Sequence, residues 1–471
     1  MTISGKTCLA VTAAAGGLYS MSAQAQMPEH PNIVVIITDQ QQAGKISALG
    51  DTGLSTPAMD RIVESGISFT NAYCTFPLSI PSRFALFTGM YPSDFNLRFN
   101  PGKTDRDRID FDGIARHAPR MLANIFNEAG YDTYYGGKAH LVSPETNENA
   151  AYYGFDTMYS AERRGQLGKD AAEFISAKSP SDNPFLMVVS YINPHDICEY
   201  DDYIKYDELS PSVRKRKDDG ISRVKKYSAV AEKYGETEFY SEICPQVPDN
   251  HAPMRGEPSG LPGKVVPYSE EQWQMHRWVY NRLIEEADSD IMPVLDALED
   301  GGFMENTIIV FLSDHGEMDA SHMREHKSVP YQEAQNVPFV ISGPGIRAGK
   351  TDRKTVVNTG IDLLPTLCDL ANIDIPDGYP GVSVKDAATG RHRLERRYIF
   401  MEGANWFQVL DSGRYKYTVI EKSGRNEILV DLRNDPGETV NLAENRKYRK
   451  ILQNLRTVLA DELVRRGHEM P

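Results

Sequence analysis

Apolar runs rich in Val and Ile punctuate the chain at Ile33–Ile37, Phe185–Val189 and Ile308–Leu312, with a weaker run at Tyr131–Tyr135 and a short one at Phe339–Ile341. Runs without polar alternation predict strands buried on both faces, as in a parallel sheet covered by helices. Between them, apolar positions recur at helical spacing. Arg120–Ala129 predicts a helix stopped by Gly130, and Arg277–Glu299 a long amphipathic helix bent at Pro293. Strands alternating with helices predict an α/β fold over 27–385, a large, mostly parallel mixed sheet sandwiched by helices. From residue 386 the pattern turns to short strands, such as Tyr398–Phe400 and Tyr415–Val419, and then a charged helix over 444–467. That predicts a smaller α+β subdomain over 386–471, an antiparallel sheet plus a helix.

The polar residues that matter fall where strands end. Asp39 and Gln40 follow the first run, Lys138 and His140 the weaker one, His195 the Phe185–Val189 run, and Asp314 and His315 the Ile308–Leu312 run. In open α/β sheets ligands bind beyond the carboxyl ends of the strands, so these side chains can converge on one pocket. Asp and Gln oxygens suit a hard divalent cation, Ca²⁺ or Mg²⁺. Taken singly, each has a plainer reading: Asp39 a helix cap, Asp314 a turn residue, Lys138 a surface lysine, His195 a structural histidine.

Residues 199–270 differ in character, with a basic run at Arg214–Lys217 and later many Pro, Gly and Ser. The plain reading is a solvated surface loop; the functional one is a lid over an anionic substrate. Net charge is −15. That argues against non-specific nucleic-acid binding, and any site for an anion must concentrate cations locally. Residues 1–26 read as a signal peptide for export, marked by Lys6, the apolar Cys8–Tyr19 and the small-residue cleavage site Ala23-Gln24-Ala25. No later stretch is apolar enough for a membrane helix, so the expectation is an exported, periplasmic protein without a membrane partner. Cys74, Cys198, Cys244 and Cys368 lack metal spacing; export permits a disulfide without choosing a pairing.

Ser79-Ile80-Pro81-Ser82-Arg83 precedes an apolar stretch ending at Gly89. Pro81 suits a first helical turn and Gly89 a stop, which places Ser79 at a helix N-terminus, where anions are stabilised. Arg83, one turn on, can reach the same point. The segment Ser79-x-Pro81-Ser82-Arg83-x-x-Leu86-x-Thr88-Gly89 resembles the signature of type I sulfatases of the alkaline-phosphatase superfamily, with Met90 where that family usually has Arg. Gly136–His140, Asn193-Pro194-His195, Ser313–Glu317, His322, Lys327 and Asp362–Thr366 resemble further landmarks of it, Ala139 replacing a Trp.

The resemblance implies an alkaline-phosphatase-like fold and a carbohydrate sulfatase, a sulfuric ester hydrolase in which Ser79 becomes formylglycine. A serine at that position implies a radical maturase that works without oxygen. One divalent cation, Ca²⁺, is expected on Asp39, Gln40, Asp314 and His315; His315 either binds it weakly or contacts residue 79. The expected roles are activation of residue 79 by the cation and Arg83, sulfate clamping by Lys138 and Lys327, proton donation to the leaving alcohol by His195, and proton removal by His140. Substrate contacts are expected from His322 and Arg98, and from loops at 93–119, 141–170 and 199–270 that carry Arg106, Arg108, His117 and Arg163. The sugar is expected to be a glycosaminoglycan, mucin-type or algal glycan. Rival readings are a phosphatase or phosphonate monoester hydrolase of the same superfamily, and a glycan-binding pseudoenzyme.

Overall fold

The computed structural model describes residues 26–471 except 52, 160–162 and 422–425. All but the last position of the expected leader therefore lies outside the described residues. Twelve strands follow in order: β1 (Asn32–Asp39), β2 (Gly66–Tyr73), β3 (Asp132–Gly137), β4 (Asp156–Tyr159), β5 (Phe185–Pro194), β6 (Thr307–Ser313), β7 (Phe339–Ser342), β8 (Lys350–Asn358), β9 (Tyr398–Gly403), β10 (Trp406–Asp411), β11 (Tyr415–Ile420) and β12 (Glu427–Asp431). The principal helices are α1 (Pro57–Ser65), α2 (Ser79–Thr88), α3 (Leu122–Glu128), α4 (Leu167–Ser176), α5 (Pro211–Ser228), α6 (Glu270–Asp300), α7 (Thr359–Leu370) and α8 (Arg449–Arg465).

Eight strands form one sheet in the order β4-β3-β5-β1-β6-β7-β2-β8. Only β7 runs against its neighbours, β6 and β2; the remaining pairings are parallel. The unbroken apolar run of β1 is explained by burial on both sides. Ile33, Val35 and Ile37 join a core cluster with Phe84, Phe87, Phe126 and Leu363, beneath α2, α3 and α7. Val34 and Ile36 join the opposite cluster with Ile62, Ala171, Leu283 and Leu295, beneath α1, α4 and α6. Alternation would have left one face open to water, and no face is open.

The C-terminal strands form an antiparallel sheet, β12-β11-β10-β9. One of its faces packs Trp406, Leu410 and Val430 against Tyr73, Met318 and Tyr331 of the larger unit. The other packs Phe407, Tyr417 and Leu429 against Leu455 and Leu459 of α8. Trp406 is fully buried and donates its indole N–H to the Ser328 carbonyl at 3.2 Å.

Two expectations need correction. The long helix starts at Glu270, not Arg277, because Ser269 and Gln272 form a reciprocal capping box that the apolar period alone does not reveal. Residues 199–270 are not simply a loop. The basic run lies on α5, an 18-residue helix anchored by buried Ile221 and Val224 and started by Pro211. Its wide spacing of apolar residues hides that narrow buried stripe.

Trp406→Ala should cost about 3–5 kcal/mol, since it leaves a large void between the two sheets. Urea unfolding of wild type and variant measures it, and a change under about 1 kcal/mol would mean that the sheets do not depend on this contact.

Candidate active site

Ser79 opens α2, whose ten residues are all buried, and Gly89 closes the helix with φ 67°. The Ser79 hydroxyl lies 3.0 Å from His315 Nε2 and 3.5 Å from Asp39 Oδ1. His315 Nδ1 is 2.9 Å from the Gly316 carbonyl, which can only accept. Nδ1 therefore carries the proton and Nε2 presents a lone pair to Ser79. Burial lowers the His315 pKa, so this neutral form holds at neutral pH.

Arg83 sits below Ser79 on the same helix. Its Nε donates to Asp314 Oδ2 at 2.9 Å and its Nη2 to Asp39 Oδ2 at 3.1 Å. Its Nη1 donates to Ser190 Oγ at 2.7 Å and to the Lys138 carbonyl at 3.0 Å. Lys138 Nζ lies 2.8 Å from Asp39 Oδ2. Burial would raise the Asp39 pKa, but the cations Lys138 and Arg83 outweigh it and hold the carboxylate ionised. Gly137 makes the turn into Lys138 possible: with φ 93°, a Cβ there would fall 2.1 Å from the Ser190 carbonyl.

The ligand atoms of Asp39, Asp314 and His315 lie within 4.8 Å of one another. Two hard carboxylate oxygens and one imidazole lone pair, all fully buried beside the residue 79 hydroxyl, fit a divalent cation. Gln40 stands next to them in the left-handed region, φ 77°. Its backbone N–H donates to Asp314 Oδ1 at 3.1 Å, while its side-chain amide bonds Lys327, Glu317 and Cys198. Non-glycine residues with positive φ gather here, with His140 at 45° and His326 and Ser328 flanking Lys327 at 68° and 73°. Such backbone costs about 1–3 kcal/mol per residue and persists where its surroundings hold it.

The Sulfatase family profile matches residues 31–373, and a second, N-sulphoglucosamine sulphohydrolase, C-terminal, matches 321–465. The chain belongs to the sulfatase family. Among curated relatives, a Delta 4,5-hexuronate-2-O-sulfatase of Bacteroides thetaiotaomicron is 29% identical, with 95% of this chain and 92% of that protein aligned. Among solved structures, a 2-O GAG sulfatase superposes with TM-score 0.72 at 26% identity, covering 93% of each chain. The phosphonate monoester hydrolase of Agrobacterium radiobacter shares the fold, with TM-score 0.67 at 20% identity and coverage of 93% of this chain and 96% of that one. Relatives of this kind make the protein a sulfuric ester hydrolase with an alkaline-phosphatase-like fold.

In this sulfatase a cleft of about 510 Å³ opens beyond the strand ends, with Lys138, His140 and His195 on its wall. Burial and Lys138 drive the pKa values of His140 and His195 well below the ordinary imidazole value, so both are neutral at rest. Lys327 Nζ lies 3.4 Å from Cys198 Sγ, and Lys327 and His326 outweigh burial to lower that thiol's pKa. The thiols of Cys74, Cys198, Cys244 and Cys368 are all free.

Sequence reasoning missed Glu148, Ser190 and Cys198. Glu148 accepts from the backbone N–H groups of Ala139 and His140 and pairs with His140 Nε2 at 3.3 Å. No periodic signal marks it. Ser190, a lone hydroxyl at the end of an apolar strand, was visible in principle.

Arg98 and His322 are placed away from this constellation. Arg98 donates to the carbonyls of Gly403 and Trp406, pairs with Glu421 at 2.7 Å and covers the Phe407 ring, so it joins the C-terminal sheet to the larger unit. His322 is fully buried and stacked on Tyr331 at 4.1 Å. None of residues 93–119 lines the cleft; there Arg106 holds Ser143 and Asn147, Arg108 pairs with Asp105, and His117 bonds the Thr88 carbonyl. Arg163 pairs with Asp170. A cation in a loop is as useful for bracing the loop as for holding a ligand, and spacing does not distinguish the two.

Burial lowers the His322 pKa from 6.5 to about 4. Below pH 6.5 the unfolded chain takes up a proton that the folded chain refuses, so this residue removes stability as pH falls, until about pH 4. His322→Phe, which keeps the stack on Tyr331, should lessen the loss of stability between pH 6.5 and 4 by about 3 kcal/mol, because each pKa unit is worth about 1.4 kcal/mol. Denaturant titrations across that range compare the two proteins; parallel curves would contradict the assignment.

Proposed function

We propose that this sulfatase is exported and removes a sulfate ester from a glycosaminoglycan-type sugar, using a formylglycine made from Ser79 by a radical maturase and one Ca²⁺. The observation that carries this reading is the Ser79 hydroxyl, 3.0 Å from the His315 lone pair and 3.5 Å from Asp39, inside a buried set of carboxylates and cations. The names of the similar proteins, a hexuronate 2-O-sulfatase and a 2-O GAG sulfatase, support the sugar class. The division into a catalytic unit over 27–385 and a C-terminal subdomain over 386–471 is part of the same reading, supported by the two separate sheets.

Asp39, Asp314 and His315 would hold the cation, with Gln40 beside them. The short Ser79–His315 contact favours a role for His315 toward residue 79. When present, Ca²⁺ and formylglycine together supply a hydroxyl acidic enough to attack sulfur at neutral pH and a second whose deprotonation expels sulfate. The chain's own residues do the rest. Arg83 keeps Asp39 and Asp314 fixed and helps hold Asp39 ionised. Lys138 and Lys327 receive the non-bridging sulfate oxygens, where negative charge builds up. Burial and the fields of Lys138 and Lys327 keep His195 neutral, and a bound sulfate offsets those fields, which raises its pKa and lets it carry the proton for the leaving alcohol. His140, oriented by Glu148, is neutral and able to take a proton from residue 79.

Two experiments test this. After coexpression with a radical maturase, peptide mass spectrometry should show residue 79 lighter by two hydrogens in protein that hydrolyses an aryl sulfate, and unchanged serine in the active protein refutes the formylglycine step. Chelation with EDTA should lower turnover by at least about 10²-fold, since charge stabilisation of this kind is worth that much, and added Ca²⁺ should restore it. Full activity after exhaustive chelation would remove the cation from the reading.

A further inference from the structure

The cleft has a second wall that the reaction above leaves unused. Facing Lys138, His140 and His195 is the first half of α5, where Lys215, Arg216, Lys217 and Asp218 line the opening. Most charges here are already matched. Lys217 lies 2.7 Å from Glu199 and also pairs with Asp202. Arg164 makes two bonds of 2.8 Å to Asp196. Glu148 is taken up by His140 and the backbone beside it.

Lys215 and Arg216 are different. Both are exposed, and neither side chain has a hydrogen bond, ion pair or ring contact among the described residues. Asp218 is the one unmatched acid among the residues lining that wall. On a chain of net charge −15, two free cations facing the cleft concentrate positive potential where the rest of the surface repels anions. A cleft of about 510 Å³ also falls within the span of about 300–1,000 Å³ typical of small-ligand sites, more room than one sulfate group fills.

We propose that Lys215 and Arg216 form a second anion subsite, which binds a negative group on the sugar other than the sulfate being removed: a uronic acid carboxylate or a further sulfate. The inference rests on the sulfatase reading and adds a substrate class to it, sugars that carry two anionic groups. Because the two side chains are exposed, their attraction is modest and weakens as salt rises.

The test measures binding by calorimetry in Ser79→Ala protein, so it depends neither on maturation nor on turnover. The probes are a 2-sulfated hexuronate disaccharide, the same sugar with its carboxylate reduced to an alcohol, a disulfated hexosamine and a monosulfated neutral hexosamine. Adding Lys215→Gln and Arg216→Gln should weaken at least one of the two dianionic probes on the order of tenfold at low salt and leave the singly charged probes within about twofold. Asp218→Asn should tighten the same dianion. Loss confined to the hexuronate identifies the carboxylate; loss confined to the disulfated hexosamine identifies a further sulfate.

Equal weakening of all four probes, no change for either dianion, or no detectable binding of both dianions to the parent overturns the subsite. Absence of sulfate ester turnover by matured wild type would instead count against the sulfatase mechanism, and the binding comparison would still report on Lys215 and Arg216.

Discussion

One buried guanidinium holds the site together. Arg83 is fully buried and bonds Asp39 at the end of β1, Asp314 just past β6, Ser190 within β5 and the Lys138 carbonyl just past β3. Two carboxylates with no exposure at adjacent strand ends would each carry a desolvation penalty of several kcal/mol if left unmatched. Arg83 and Lys138 offset it. Buried ion pairs of this kind contribute little net stability compared with an apolar core, so their effect is positional. The planar fork with five donors admits few arrangements, and it locks α2, and therefore Ser79, to the carboxyl ends of the central strands.

The sheet makes that position useful. Parallel strands deliver their carboxyl ends to one side, so polar residues more than 270 positions apart, such as Gln40 and Asp314, meet at hydrogen-bond distance. The left-handed residues Gln40, His140, His326 and Ser328 then turn the chain sharply after each approach. The second sheet braces the first from the side. Arg98, Trp406 and Ser328 tie the two sheets together, and Ser328 adjoins Lys327. The docking of the C-terminal sheet thus bears on where Lys327 points.

The electrostatics follow from the same burial. The imidazoles of His140, His195 and His315 all have lowered pKa values, because buried cations and low dielectric oppose a further positive charge. The resting site is therefore rich in fixed cations and poor in protons, an environment suited to an anion.

The amino-acid order alone made five strands of the large sheet legible, β1, β3, β5, β6 and β7, because burial on both faces leaves an apolar run, whereas the half-exposed β8 has none. It singled out Ser79, Arg83, Asp39, Asp314, His315, Lys138 and His195 as candidates, because each follows such a run or sits in the Ser79 segment; Lys327 adjoins no run and was legible only through the family resemblance. Less was legible where the partner is distant. Glu148 gained its place only when its loop folded back on His140, and α5 gained a cleft-facing side only by packing against its neighbours. Arg98 and His322 were indistinguishable from substrate contacts in the linear chain, yet tertiary packing spent them on a sheet junction and an aromatic stack. Local periodicity reports which way an element faces, but which buried charge meets which partner is set by contacts across hundreds of residues.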